Sequence, residues 1–288
     1  SEMCIRDRFP IDLVKDKLCC STEQALDFIA RYVVNGVSEQ VNIPRRTAPP
    51  EPEKPSEFSP PAHDISPKRV MAYLIKTRGI DPEIVKALIQ QKMIAEDSVH
   101  HNCLFFGRDE NGVIRSCALR GSTDVKFRGE APGGDKSCTF AMVGHNDVLR
   151  LFESPIDAMS HATFTKLLGK DWTADHRLSV NGSGNYESIK RYLANHTEIK
   201  SVWFCYDSDQ AGCDGAEASS VRIFEDFPDR ELSVMSCSPV KNKDWNEALQ
   251  LFRVLESHGV TVREFLAPTE FRSIPPPDCE QDEFECEL

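Results

Sequence analysis

From residue 148 to 255, short apolar runs alternate four times with amphipathic stretches, and this alternation limits the available folds more than any other feature of the chain. The runs at 148–152, 178–180, 201–206 and 232–235 read as strands. The stretches at 155–168, 186–194, 211–224 and 244–255 read as the helices that follow them. Four consecutive strand–helix units predict an α/β domain with a four-stranded parallel sheet flanked by helices and right-handed crossovers. In such sheets ligands collect beyond the carboxyl ends of the strands.

Three of those four ends are acidic. Glu153 follows the first strand, Asp207 and Asp209 the third, and Lys243-Asp244 the fourth. Like charges at short range oppose one another, and a divalent cation relieves that repulsion. Mg²⁺ prefers one or two carboxylates, keeps several waters and takes up phosphate oxygens. The Asp-x-Asp spacing lets Asp207 and Asp209 point the same way, with small Ser208 admitting a substrate. Aspartate is also common as a helix cap, so capping is the other use of these residues. Asp157 is expected to cap the first helix, and Gly212 to allow close packing where the third begins. The stretch Asn181-Gly182-Ser183-Gly184-Asn185 is either a tight turn or a phosphate-cradling loop.

Upstream, residues 66–146 read as a small α+β domain. Ser66-Pro67 supplies a cap and a first helical residue, with Val70, Tyr73 and Leu74 at helical spacing. A second helix starts at Asp81-Pro82. The period then drops to two, and 102–107 and 113–119 form a hairpin around Asn111-Gly112. Further strands are expected at 125–127 and 138–142. Six prolines between 49 and 61 make 47–65 an extended linker. Ahead of it, 1–46 is a small helical remnant. Residues 267–288 read as a solvated tail, with six acidic residues from 278 to 288.

The 34 basic and 46 acidic residues leave a net charge of −12, which argues against a general basic coat for duplex DNA but not against a local basic groove. No run of about 18 apolar residues predicts a membrane span. Eleven cysteines without CxxC pairs read as reduced thiols, and a cytoplasmic protein is expected. Lys136, Arg120 and Arg78 lie beside glycines, where a cation contacts phosphate or forms a surface salt bridge. Lys243 contacts phosphate or neutralises its acidic neighbours.

Phe152-Glu153-Ser154-Pro155-Ile156-Asp157-Ala158, followed by Tyr206-Asp207-Ser208-Asp209-Gln210-Ala211-Gly212, resembles the Toprim domain shared by bacterial-type primases, topoisomerases and some nucleases. Lys243-Asp244-Trp245-Asn246-Glu247 is similar to the segment that closes its primase-like subgroup, and 147–266 is the expected Toprim unit. The preceding segment resembles a domain of unknown function found before Toprim in proteins of plasmids and conjugative elements. It carries Tyr73-Leu74, Thr77-Arg78-Gly79-Ile80, Leu119-Arg120-Gly121 and Gly134-Asp135-Lys136. Ile11-Asp12-Leu13-Val14 is similar to the tail of a primase-type zinc finger. The finger itself is absent, so zinc is not expected. Ser1–Asp7 resembles translated sequencing adapter.

The resemblance implies Glu153 as general acid/base or as a group that positions the attacking one, with Asp207 and Asp209 holding Mg²⁺ or Mn²⁺ and Asp244 as an outer or second-metal ligand. It implies DNA, with a single-stranded template, and nucleotides as partners, and a relaxase or helicase of the same bacterial mobile element. Three functions stay open: nucleotidyl transfer of the primase kind, a nuclease, and a non-catalytic accessory module that binds DNA or a partner protein.

Overall fold

The structure, a computed structural model, describes residues 58–64, 66–123, 127–239, 243–267 and 271–276. The helical remnant, the adapter-like start, most of the proline-rich stretch and the acidic end at 278–288 lie outside the described residues, as do 125–126 of the strand expected at 125–127.

A five-stranded antiparallel sheet comes first. Its strands β1 (His63–Asp64), β2 (Ile94–Asp97), β3 (Cys103–Arg108), β4 (Ile114–Arg120) and β5 (Arg128–Glu130) follow one another in sequence order. The β3–β4 hairpin turns where Asn-Gly predicts it. Gly112 takes φ +78°, and Asp109 Oδ1 accepts from the N–H groups of Asn111 and Val113 at 3.0 and 2.9 Å. His63 and Asp64 pair with Asp97 and Glu96, so the end of the expected linker is built into the sheet edge.

Helix α1 (Lys68–Ala72) runs into a π-helical turn, Tyr73–Thr77. Pro67 rather than Ser66 precedes the first helical residue, and no side chain caps this helix, which corrects the expected cap by one position. Helix α2 (Pro82–Gln90) starts as its sequence predicts, with Asp81 accepting the Glu83 N–H at 2.8 Å. It buries Ile84, Val85 and Leu88.

The second sheet contains the predicted parallel array and exceeds it. β7 (Val148–Phe152), β8 (His176–Ser179), β9 (Ser201–Phe204) and β10 (Ser233–Cys237) are parallel, in the order β10-β9-β7-β8. Antiparallel β6 (Ala141–Met142) and β11 (Phe271–Ser273) extend the two edges, so the sheet has six strands rather than four. β11 lies within the stretch expected to be tail. The strand order reverses between β7 and β9, and this switch point places Glu153 and Asp207 at the ends of adjacent strands.

The connecting helices are α3 (Pro155–Leu167), α4 (Tyr186–Asn195), α5 (Gln210–Asp226) and α6 (Trp245–Glu256), followed by α7 (Val262–Leu266). Alternation along β7 sends Leu149 and Leu151 to one core and Phe152 to the other. The first core takes in Tyr186 and Ile189 of α4 and Ala216 and Ile223 of α5. The second joins Phe164 of α3, Trp245 and Phe252 of α6 and Phe265 of α7 to Tyr73, Leu74, Ile84 and Phe105 of the preceding segment. One continuous apolar cluster therefore spans both halves of the described chain. Among the described residues, no helix is long and apolar enough to cross a membrane.

Candidate functional site

Each acidic residue is held where a strand gives way to a helix. Ser154 caps α3 by accepting the Asp157 N–H, which corrects the expectation that Asp157 is the cap. Asp209 caps α5 through the Gly212 N–H at 3.0 Å, and Asp244 caps α6 through the Glu247 N–H at 2.7 Å. Each of these aspartates commits Oδ1 to a helix terminus, and Asp209 turns its Oδ2 to Lys243. Capping and site-building turn out to be compatible uses of the same side chain.

Glu153 and Asp207 are in direct contact. The Asp207 N–H donates to Glu153 Oε1 at 3.2 Å. The approach depends on Gly212, where a Cβ would stand 2.2 Å from the Asp207 carbonyl oxygen and 3.2 Å from Glu153 Oε1. Opposite them, Lys243 Nζ lies 3.2 Å from Asp209 Oδ2 and 3.8 Å from Asp207 Oδ2. The backbone fixes that arrangement, since the Ser208 N–H donates to the Lys243 carbonyl at 2.8 Å.

The electrostatics match this crowding. Burial and the charges of Glu153, Asp157 and Asp244 push the Asp207 carboxyl up to about 7. Burial raises Glu153 too, with Asp209 adding to the shift. Asp157, only 6% exposed, is raised by burial and by Asp244. Asp209 goes the other way, held low by the Gly212 N–H and then by Lys243. Burial is the first cause of these upward shifts and neighbouring carboxylates add to it, while the Lys243 ammonium supplies positive charge beside Asp209 and Asp207. Its donors are hard oxygens of the kind Mg²⁺ and Mn²⁺ take, so the residues present fit such a cation.

Two groups among the described residues bring three donor atoms within 4.8 Å of one another: His176, His196 and Glu198, and Asp64, Glu96 and His101. The acidic centre is not one of them; there the Lys243 ammonium lies beside Asp209 and Asp207. His176 has both ring nitrogens engaged, Nδ1 with the Tyr192 hydroxyl at 2.9 Å and Nε2 with the Asn146 carbonyl at 3.1 Å. Glu96 Oε2 accepts the N–H groups of Arg69 and Val70.

The basic candidates part company. Lys243 sits inside the centre. Lys136 is exposed, and its carbonyl accepts from Asn185 Nδ2 at 2.9 Å, which ties its loop to the glycine-rich turn. That turn reaches the centre through the Gly182 N–H, which donates to the Glu153 carbonyl at 3.1 Å. Arg120 is half-buried on β4, with Arg128 as its cross-strand partner on β5. Arg78 is not placed as a surface phosphate contact. Its guanidinium lies over the Tyr73 ring, donates to the Tyr73 hydroxyl at 2.7 Å and to Asn246 Oδ1 at 3.0 Å.

Three residues belong to the site without having been singled out for it. Asp157 lies one helical turn past Glu153, and only its burial distinguishes it from a cap. Asn246 is 3% exposed and donates its backbone N–H to Asp157 Oδ1 at 3.1 Å. Arg128 lowers the proton affinity of Glu153 by its charge. A basic residue in a strand predicted around Phe127 was the available signal for it.

Residues 150–249 match the family model described as Toprim-like, and residues 72–146 match the family of unknown function DUF3991. A plasmid-encoded relative, the uncharacterized protein pXO2-78 of Bacillus anthracis, is 32% identical over 157 residues, or 50% of this chain and 44% of the relative. The chain therefore spans less than half the length of that curated relative. Among solved structures, the primase fragment of the bacteriophage T7 primase-helicase is 18% identical, with 64% of this chain and 72% of that chain covered and a TM-score of 0.45. The Aquifex aeolicus primase (zinc-binding and RNA polymerase domains) is 15% identical, with 91% and 70% covered and a TM-score of 0.45.

Proposed function

We propose that this chain is a Mg²⁺- or Mn²⁺-dependent, primase-like protein that joins nucleotides on a DNA template, in the replication or transfer of a plasmid or conjugative element. The observation that carries this reading is the acidic centre at the switch point of a Toprim-like domain, where Asp207 is pushed up to about 7 beside Glu153 and the Lys243 ammonium stands in for a cation. Asp207 and Asp209 would hold the metal, with Asp244 beside them. When bound, the cation polarises phosphoryl oxygens and offsets the charge that develops on them.

The remaining work falls to the chain itself. Glu153 Oε1 is committed to the Asp207 N–H, so Oε2 is the atom that takes the proton of an attacking hydroxyl. Burial raises the proton affinity of Glu153 above that of an ordinary carboxylate, which favours it as the base. Lys243, whose ammonium reaches both Asp209 and Asp207, would offer that ammonium to a substrate phosphate. Arg120 and Arg128, side by side on β4 and β5, offer guanidinium groups to a nucleic-acid backbone. Partners would be single-stranded template, nucleotides and a relaxase or helicase of the same element, in the bacterial cytoplasm.

The test incubates the protein with Mg²⁺ or Mn²⁺, single-stranded DNA and labelled NTPs or dNTPs, alongside Glu153→Gln and Asp207→Asn. Dinucleotide or longer products that vanish in both variants support the proposal. Shortened template points to a nuclease, and DNA retention without turnover to an accessory module.

A further inference from the structure

The side chain of Asn246 uses all of its hydrogen-bonding capacity, and it does so across the two halves of the chain. Oδ1 accepts from Arg78 Nη1 at 3.0 Å and from Gln250 Nε2 at 2.7 Å. Nδ2 donates to the Arg78 carbonyl and to Ser160 Oγ, both at 2.9 Å. A flipped amide would face the Arg78 carbonyl with an oxygen and the guanidinium with an NH₂, so one orientation is enforced. Two acceptors and two donors leave the group no freedom, and at 3% exposure no water competes for it.

Arg78 is fixed in its turn. Its Nε donates to the Tyr73 hydroxyl, and its Cζ lies over the same ring, 5.1 Å from the centroid. The π-helical turn that begins at Tyr73 ends at Thr77, and Arg78 and then Gly79, at φ +72°, follow it. A Cβ on Gly79 would stand 3.1 Å from Arg253 Cγ, and the Gly79 carbonyl accepts from Arg253 Nε at 3.1 Å. The end of this short segment is therefore pinned to α6 at two adjacent residues, Arg78 and Gly79. Strained or irregular helical turns of this kind collect at functional positions.

The backbone of Asn246 carries the link onward. Its N–H donates to Asp157 Oδ1 at 3.1 Å, and the Ser154 hydroxyl donates to Asp157 Oδ2 at 2.5 Å. Asp244, two residues earlier, caps the same helix. We infer that Arg78 is a positioning residue for the acidic centre: through Asn246 it sets the start of α6, and with it Asp244 and Asp157, so that the DUF3991 segment helps to define the cation site of the Toprim-like one. The inference rests on the proposed cation role of that centre for its consequence, but the mechanical link can be read without any metal.

A second bridge between the same halves serves as the control. Lys166 of α3 contacts Asp81 at 2.8 Å and Glu83 at 2.6 Å and touches none of the acidic residues at the sheet switch point. The experiment compares the full chain with Arg78→Ala, Tyr73→Phe, Asn246→Ala, the Arg78→Ala/Asn246→Ala double variant and Lys166→Met. Hydrogen exchange over residues 243–249 is measured without metal, and Mn²⁺ affinity by the resonance of the free ion.

Arg78→Ala is expected to lower protection of the Asn246 amide about tenfold and to weaken Mn²⁺ binding about five- to tenfold. Tyr73→Phe, which keeps the ring and removes only the hydroxyl, moves both in the same direction by less and guards against a variant that fails to fold. The double variant should be no worse than the poorer single one, because both changes cut one chain of contacts. Lys166→Met should leave both readings where they are. Unchanged protection in Arg78→Ala and Tyr73→Phe, or equal losses in Lys166→Met, overturns the inference. If the unmodified chain binds no Mn²⁺, the cation reading of the centre falls, and exchange alone decides the positioning link.

Discussion

The backbone N–H of Asp207 donates to Oε1 of Glu153 across the gap between β9 and β7, so two acidic residues at the ends of adjacent strands are joined rather than merely close. The contact orients Glu153 without neutralising it. Glu153→Gln preserves the accepting oxygen and removes only the proton-binding capacity. Product formation should fall by about 10²–10⁴-fold, the usual range for a lost general base, while the unfolding midpoint in urea stays close to that of the parent.

Asp207→Asn should separate stability from activity. In the metal-free chain it removes one charge from a repulsive cluster, and a gain of about 1 kcal/mol would raise Tm by about 2–4 °C for a chain of this size. Activity should be lost in the same variant. Thermal melts in EDTA together with the nucleotide assay read both.

The pH dependence has a defined sign. The folded-state affinity of Asp207 for its proton is raised from 3.8 to about 7, so between those values the folded chain binds more protons than the unfolded one. Its contribution to stability falls as pH rises through that window. His161 and His176 are depressed by burial and act in the opposite sense up to their unfolded value of 6.5. The clean observable is therefore a difference: the Tm advantage of Asp207→Asn over the parent in EDTA should grow from pH 5 to pH 8. Added Mg²⁺ should shrink it most at pH 8.

Arg120 and Arg128 should show their role in salt dependence. If both meet a single-stranded backbone, replacing either with alanine weakens DNA binding and lowers the slope of log affinity against log salt by about 0.7. Arg78→Ala should leave that slope unchanged, since its guanidinium is engaged with Tyr73 and Asn246. Fluorescence anisotropy at four salt concentrations distinguishes the two behaviours.

Gly212→Ala forces a methyl group toward the Asp207 carbonyl at a distance that atoms do not tolerate. A loss of about 1–3 kcal/mol is expected from such overpacking. Urea unfolding measures it, and Mn²⁺ affinity should fall with it because the start of α5 carries Asp209.

Strand–helix alternation made the parallel array legible from Val148 onward, because a repeating period of two and then 3.6 is a property of the chain alone. The edge strands β6 and β11 were harder, since two or three residues are too few to show any period. Glu153, Asp207, Asp209 and Asp244 were readable from their places after strands. Asp157 and Asn246 were not, because their significance lies in being buried against each other 89 positions apart. Arg78 was read as a surface cation for the same reason: no local pattern reveals that a guanidinium faces inward.

The apolar cluster that runs from Tyr73 and Leu74 to Phe164 and Phe252 bears on how this molecule can be handled at the bench. A clone trimmed to begin at residue 147 would leave α3 and α6 with an oily cleft open to solvent, inviting precipitation before any assay could begin. Crystallographers and enzymologists alike would do better to keep both halves on one polypeptide, or to plant polar replacements along that cleft before dividing them.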